Sequence, residues 1–367
     1  MKIGVLTFHR PYNYGALLQA LATQEIIHQN WGETEIVDYR HSRIESERSY
    51  FRKVESRKFM TVFGDLRYFL IERKRHISFD HYREKVLNLS AKCESTGEVQ
   101  SILNGYDVIV IGSDLVWNWE LDENLNDVFF CEFDSQISKR IVSYASSIGS
   151  DYIPEEYREL YGKKLKKFYA VSVREETALR LLQPVVDKEI KVVLDPTLLL
   201  NRDTWNLYKE EYSGLPQKYI CAYILEHTED AIEIVETIAG QMKLPVVYFN
   251  KKNRFACNGQ SAYNANPGQF LYIVENASIV ITNSFHGTVF SILYNKEFIC
   301  IPHTTRGSRM KDLLSKIELS NRLTGKKADL SESRSVIDYE RVNYLLDMLR
   351  QESIHYLECA ITGKREM

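Results

Sequence analysis

The stretch Ser278–Ile301, SIVITNSFHGTVFSILYNKEFICI, decides the fold. It opens on an apolar run rich in β-branched residues, which reads as a buried strand. Asn283 and Ser284 end that run. Ser284 or Thr288 suits a helix N-cap, and TVFSILYNK then carries apolar residues at helical spacing. EFICIP reads as the next strand. A strand that runs directly into a capped helix and on to another strand is a βαβ unit, the building block of parallel sheets covered by helices.

The same alternation extends in both directions. KIGVLTF is a strand, Gly15 opens a helix through ALLQALATQEII, and TEIVDYR is a second strand. DVIVI, RIVSYASSIG and a strand around Phe168–Val173 follow, and VVLDPTLLL closes the first half. The pattern restarts at KYICAYILE, continues through a helix over EDAIEIVETIAGQM and a strand at LPVVYFN, and reaches a helix at PGQFLYIVENA. The fold class is therefore α/β, with two Rossmann-like parallel-sheet domains facing a cleft. Residues 1–205 are assigned to the first domain and 206–325 to the second. Residues 326–367 form a helical segment packing back on the first domain, and the linker lies near 200–217.

A length of 367 residues suits two domains. With 50 acidic and 47 basic residues the formal charge is -3, which argues against nucleic acid as a partner. No apolar run is long enough for a membrane span or a secretory signal, so a cytoplasmic location is expected, with association at a membrane surface still open. The cysteines (93, 131, 221, 257, 300 and 359) form no CxxC pair, so no metal site is expected and the thiols are read as free. Cys221, inside YICAYIL, reads as a small buried hydrophobe. Residues 40–75 depart from the balance, with 11 basic and 5 acidic residues interleaved with aromatics. This excursion is either a solvated helical stretch or an edge that attracts an anionic substrate or lipid-linked carrier. Together with the C-terminal helices it also offers a surface for a homo-oligomer.

In open parallel sheets, ligands bind beyond the carboxyl ends of the strands. Five loops stand there: His9–Gly15, Gly112–Asn118, Ser146–Gly149, the turn at Arg174, and Asn283–Thr288. In the last, Ser284, Gly287 and Thr288 shape a helix N-terminus suited to an anion, and His286 can carry a proton near neutral pH. In the first, Asn13 and Gly15 are loop-shaping or ligand-binding residues and His9 is a candidate base. Asp114 can orient a hydroxyl or accept a proton, while Trp117 and Trp119 offer faces that stack on sugar rings. Arg174, Arg306 and Arg309 suit bidentate recognition of phosphate or carboxylate. Asp195, in LDPT, reads as a turn former. No GxGxxG and no GxxxxGK[ST] is present, so nicotinamide and ATP use are not expected.

TFHRPYNYGALLQA, GSDLVWN, YASSIG, SVREE, LDPTLLL, the run from PGQFLYIVENA to KEFI, and RGSRMKDLL occur in this order over most of residues 1–320. In these segments the chain resembles the polysaccharide pyruvyl transferase family. The resemblance implies a GT-B-like fold and transfer of pyruvate from phosphoenolpyruvate to a sugar, forming a cyclic ketal with release of phosphate. It implies no tightly bound cofactor. It places the family's histidine on His286 and the arginine of its SVR motif on Arg174. Some members carry arginine where this chain has Ser284, which removes one anchor; Arg174 is expected to supply part of the grip, with Arg306 and Arg309 as further candidates. The acceptor, a sugar or a lipid-linked or nucleotide-linked glycan, is expected against the first domain near Trp117, with Asp114 or His9 as base. The donor is expected against the second domain, near His286. Two other readings are a GT-B glycosyltransferase with a nucleotide-sugar donor and a non-catalytic glycan-binding protein.

Overall fold

The computed structural model describes residues 1–41, 62–121, 125–133, 137–304, 307–326, 330 and 335–364, and the side chains of 62–68 are not among them. The first lobe carries β1 (Lys2–Leu6), α1 (Tyr14–Asn30), β2 (Glu33–Ile36), α2 (Val62–Val86), α3 (Thr96–Leu103), β3 (Val108–Ile111) and β4 (Arg140–Ser143). It continues with α4 (Glu155–Leu165), β5 (Val171–Val173), α5 (Glu176–Leu182), β6 (Ile190–Val192) and the short α6 (Arg202–Leu207). The second lobe carries β7 (Ile220–Tyr223), α7 (Glu229–Met242), β8 (Val246–Tyr248), β9 (Gly259–Ser261), α8 (Pro267–Asn276), β10 (Ile279–Thr282), α9 (Phe285–Leu293) and β11 (Phe298–Cys300). Two helices close the chain, α10 (Ser308–Lys316) and α11 (Tyr339–Thr362).

All strand pairs are parallel. The first sheet runs β2-β1-β3-β4. Single parallel bridges at Val142–Ala170 and Ser146–Val173 extend it to the pair β5-β6. The second sheet runs β11-β10-β7-β8-β9. The central strands VIVI, ICAY and IVIT are buried at every position, because helices cover both faces of each sheet. Strand β9, GQS, escaped the sequence reading because it has no apolar residue and lies at an edge.

The topology creates two switch points. In the first sheet the chain leaves β1 toward β2 and returns on the other side at β3. In the second it leaves β7 toward β8 and returns at β10. The crevices beyond β1/β3 and β7/β10 are where such sheets bind ligands, and the two face each other. A shared core joins the lobes: Tyr14 stacks on Phe270 with ring centroids 4.6 Å apart, and its hydroxyl donates to the Ala265 carbonyl at 3.0 Å. Helix α11 crosses to the first sheet, where Tyr356 donates to the Ser143 carbonyl at 2.9 Å and Ser353 accepts from the Leu194 amide at 3.0 Å.

All six cysteines are free. Burial pushes the Cys221 thiol up to about 12, so it remains protonated at neutral pH. Among the described residues no helix is long and apolar enough to cross a membrane. Among them, too, no group of three or more His, Cys, Asp or Glu residues is placed to hold a metal ion.

Candidate active site

A cavity of about 270 Å3 lies between the two switch points. The first lobe contributes Asn13, Asp114 and Asn118, and the second contributes Ser284, His286 and Arg309. The loop after β1 brings Asn13, whose side chain caps α1 by accepting from the Ala16 amide at 3.2 Å. The loop after β3 brings Asp114, whose φ of 72° lies in the left-handed region. A non-glycine residue there is uncommon and costs backbone energy, and a parallel bridge pairs Asp114 with Ser146.

Ser284 caps α9 and accepts from the Gly287 amide at 3.4 Å. Thr288 returns its amide to the Ser284 carbonyl. The backbone N–H groups of Phe285 and His286 then have no protein acceptor among the described residues, as expected in the first turn of a helix. They sit at the cavity, where helix geometry favours an anion.

His286 is nine-tenths buried, and its ring rests directly on Gly15. A Cβ added at Gly15 would lie 2.0 Å from Nδ1. Position 15 is glycine for that reason. Gly15→Ala is expected to displace the imidazole and cut turnover by about 10²-fold with the fold retained, read by steady-state rates beside a circular-dichroism melt. An unchanged rate would show that the ring does not need this seat.

The other ring nitrogen, Nε2, faces Asp195 Oδ2 at 3.7 Å. Asp195 is fully buried and forms the hub of the site. Its Oδ2 accepts from Arg174 Nη1 at 2.7 Å and Ser113 Oγ at 3.2 Å, while Oδ1 accepts from the Thr197 amide at 3.0 Å. Burial pushes its carboxyl pKa up, but His286 and Arg174 more than reverse this and hold it well below the usual carboxylate range. Reading LDPT as a turn was half of the answer, since Asp195 does cap the turn at Thr197. The sequence carries no local signal for its contacts across the lobes.

Arg174 is buried, with Nη1 on Asp195 and Nε 3.7 Å from Glu175. Among the described residues its Nε and Nη2 have no hydrogen-bond partner. The guanidinium lies over the Phe285 ring, 4.9 Å from the centroid, and lines a small recess beside the main cavity. Arg309 lines both spaces. Arg306 lies outside the described residues.

Several expectations are corrected. His9 does not line the cavity, and its Nδ1 faces the Thr7 carbonyl at 3.1 Å while Nε2 faces Asp38 Oδ1 at 3.2 Å. Burial foremost lowers its pKa, against the pull of Asp38. A ring with both nitrogens engaged by the chain has none left for a substrate hydroxyl, so His9 is a loop anchor. Gly287 serves packing, because a Cβ there would meet Thr282 Oγ1 at 2.3 Å. Thr288 is fully buried and bonds the Ser284 carbonyl and Cys300. Trp117 is also fully buried, stacked on Phe130, with Nε1 donating to the Phe129 carbonyl, so it offers no face to a sugar.

The polysaccharide pyruvyl transferase family model matches residues 13–305. The chain belongs to the polysaccharide pyruvyl transferase family. The family assignment makes it an enzyme. No curated protein matches it significantly in a sequence search. Among solved structures, this pyruvyl transferase family member is similar to a putative UDP-N-acetylglucosamine 2-epimerase from Listeria monocytogenes. Identity is 10%, the alignment covers 99% of this chain and 97% of that one, and the TM-score is 0.52. It is also similar to the S. aureus MnaA–UDP complex, at 11% identity, 98% and 97% coverage and a TM-score of 0.51. At these identities the likeness concerns the fold, which is the two-domain GT-B-like arrangement of parallel sheets.

Proposed function

We propose that this enzyme transfers the pyruvyl group of phosphoenolpyruvate to two hydroxyls of a sugar or glycan acceptor, closing a cyclic ketal and releasing phosphate. The observation that carries the reading is the linked set His286–Asp195–Arg174, with His286 at the α9 N-terminus lining the cavity between the lobes and Asp195 and Arg174 lining the recess beside it. A proton delivered to C3 of the enol makes C2 electrophilic. One acceptor hydroxyl bonds to C2, the C2–O bond to phosphate breaks, and a second hydroxyl closes the ring. Of the two hydroxyl protons, one replaces the proton given to C3 and the other is released or leaves with phosphate.

The chain's groups suit these demands. Asp195, held ionised, takes the Nε2 side of His286 and stabilises the imidazolium, which leaves Nδ1, the nitrogen over Gly15, as the proton donor. The α9 N-terminus and Arg174, with Arg309 over the Phe285 ring, receive the donor's phosphate and carboxylate. Asp114, across the cavity, is positioned to accept the acceptor hydroxyl's proton.

The test is mass spectrometry of candidate glycans incubated with enzyme and phosphoenolpyruvate, with phosphate release followed in parallel. Ketal formation in step with phosphate supports the reading. Because the S. aureus fold neighbour is a UDP complex, a UDP-sugar arm is included, and glycosyl transfer in that arm alone would overturn it. Arg174→Lys is expected to raise the KM for phosphoenolpyruvate about tenfold, the loss of one charge-assisted hydrogen bond, with a smaller change for the acceptor. The reverse order would move the donor elsewhere.

A further inference from the structure

The basic excursion was read from sequence as a solvated stretch or an anion-attracting edge. Residues 42–61 of it lie outside the described residues, but Arg75, at its end, has a different role, shared with Arg83 farther along the same helix. Arg75 and Arg83, on α2, are both buried. Arg83 Nε donates to the His9 carbonyl at 2.9 Å and Nη2 to the Arg10 carbonyl at 3.1 Å. Arg75 Nη2 donates to the Tyr12 carbonyl at 3.0 Å. Two arginines on one helix thus take three carbonyls of the loop that leads to Asn13 and Gly15. Loops rarely have such buried cationic anchors, since burying a guanidinium is costly unless its hydrogen bonds are made.

Arg75 also reaches the other lobe. Its Nη1 donates to the Tyr263 carbonyl and, at 3.2 Å, to the Tyr14 hydroxyl, which itself bonds the Ala265 carbonyl. The guanidinium lies over the Phe79 and Tyr263 rings, each 4.6 Å from the centroid. Glu72, one helical turn earlier, accepts from the Tyr263 hydroxyl and pairs with Lys251. Farther along, Tyr82 donates to the Tyr208 carbonyl at 2.7 Å and Lys85 pairs with Glu210. Helix α2 therefore grips the first loop through Arg75 and Arg83, and Arg75 also holds the second lobe.

We propose that Arg75 and Arg83 are positioning residues. They hold the loop after β1 against the second lobe, so that Gly15 stays beneath the His286 ring. The proposal rests on reading His286 as the proton donor. The seat and the ring belong to different lobes, and proximity catalysis is lost when such parts drift by about 1 Å. Arg75 spans the joint at which that drift would occur.

The test uses the full chain with Arg75→Lys, Arg75→Ala, Arg83→Lys and the milder Tyr14→Phe. Lysine keeps the charge but cannot serve the Tyr12 carbonyl and the Tyr263 carbonyl together. Turnover should fall about tenfold in Arg75→Lys and about threefold in Tyr14→Phe, with the KM for phosphoenolpyruvate within twofold of the parent. Millimolar guanidinium should restore turnover in Arg75→Ala. By hydrogen exchange, amides of residues 9–17 should open at least tenfold faster in Arg75→Lys and Arg83→Lys, with α4 and α5 unchanged. This readout needs no substrate, so it stands if phosphoenolpyruvate proves not to be the donor. If Arg75→Ala does not fold, the lysine and phenylalanine variants decide. Faster exchange with unchanged turnover would overturn the positioning role, as would slow exchange throughout or equal rises in every KM with a collapsed melting temperature.

Discussion

With His286 replaced by asparagine, pyruvyl transfer is expected to fall by about 10²- to 10⁴-fold in kcat, the usual contribution of a positioned acid. Asparagine retains a polar group over Gly15 but has no proton to give near neutral pH. The KM for phosphoenolpyruvate should change little, because the α9 amides and Arg174 remain. Single-turnover phosphate release separates the possibilities. A slow chemical step with normal binding places the imidazole in the reaction. An undiminished burst would remove it from the mechanism, whatever the fold.

Asp195→Ala should have the second large effect, and on two quantities. The substitution leaves Arg174, nearly sealed from solvent, with Glu175 at 3.7 Å and the field of Asp114 for compensation. Breaking a buried pair in this way costs about 3–5 kcal/mol, with the remaining acids favouring the lower figure. Turnover should also fall, since the imidazole loses its partner on Nε2. The pH dependence has a definite sign. The Asp195 carboxyl is depressed in the folded protein, so its contribution is present above the unfolded value of about 3.9 and is lost as pH falls toward the lower folded value. Urea titrations from neutral to acid pH should show the parent losing stability below about pH 4 more steeply than the variant. Parallel curves would mean that Asp195 is not held ionised by its neighbours.

The lobes were legible because buried parallel strands read as short apolar runs, and those runs fall where VIVI, ICAY and IVIT stand in the structure. His286 was legible because a polar break followed by a capped helix marks a strand's carboxyl end. What the sequence hid depends on contacts between distant segments. Nothing in NYGA says that an imidazole from the other lobe occupies the space above Gly15. LDPT shows its own turn and conceals Arg174 and His286. Trp117 and His9 were misassigned because residue type does not reveal burial, and both are sealed inside. Arg75 was misread for the opposite reason: a run of charges usually belongs to solvent, and here one of them lies between two lobes.

The glycine under the imidazole has a consequence for engineering. The His286 ring and the surface it rests on come from separate halves of the chain, so neither half carries the whole proposed centre. Exchanging one half for a relative's, to reach a new glycan, would succeed only if the donor half brings a bare backbone at the matching point and an equivalent strap to hold it there. A chimera that transplanted only the residues around the cavity would inherit the correct groups and leave them out of alignment.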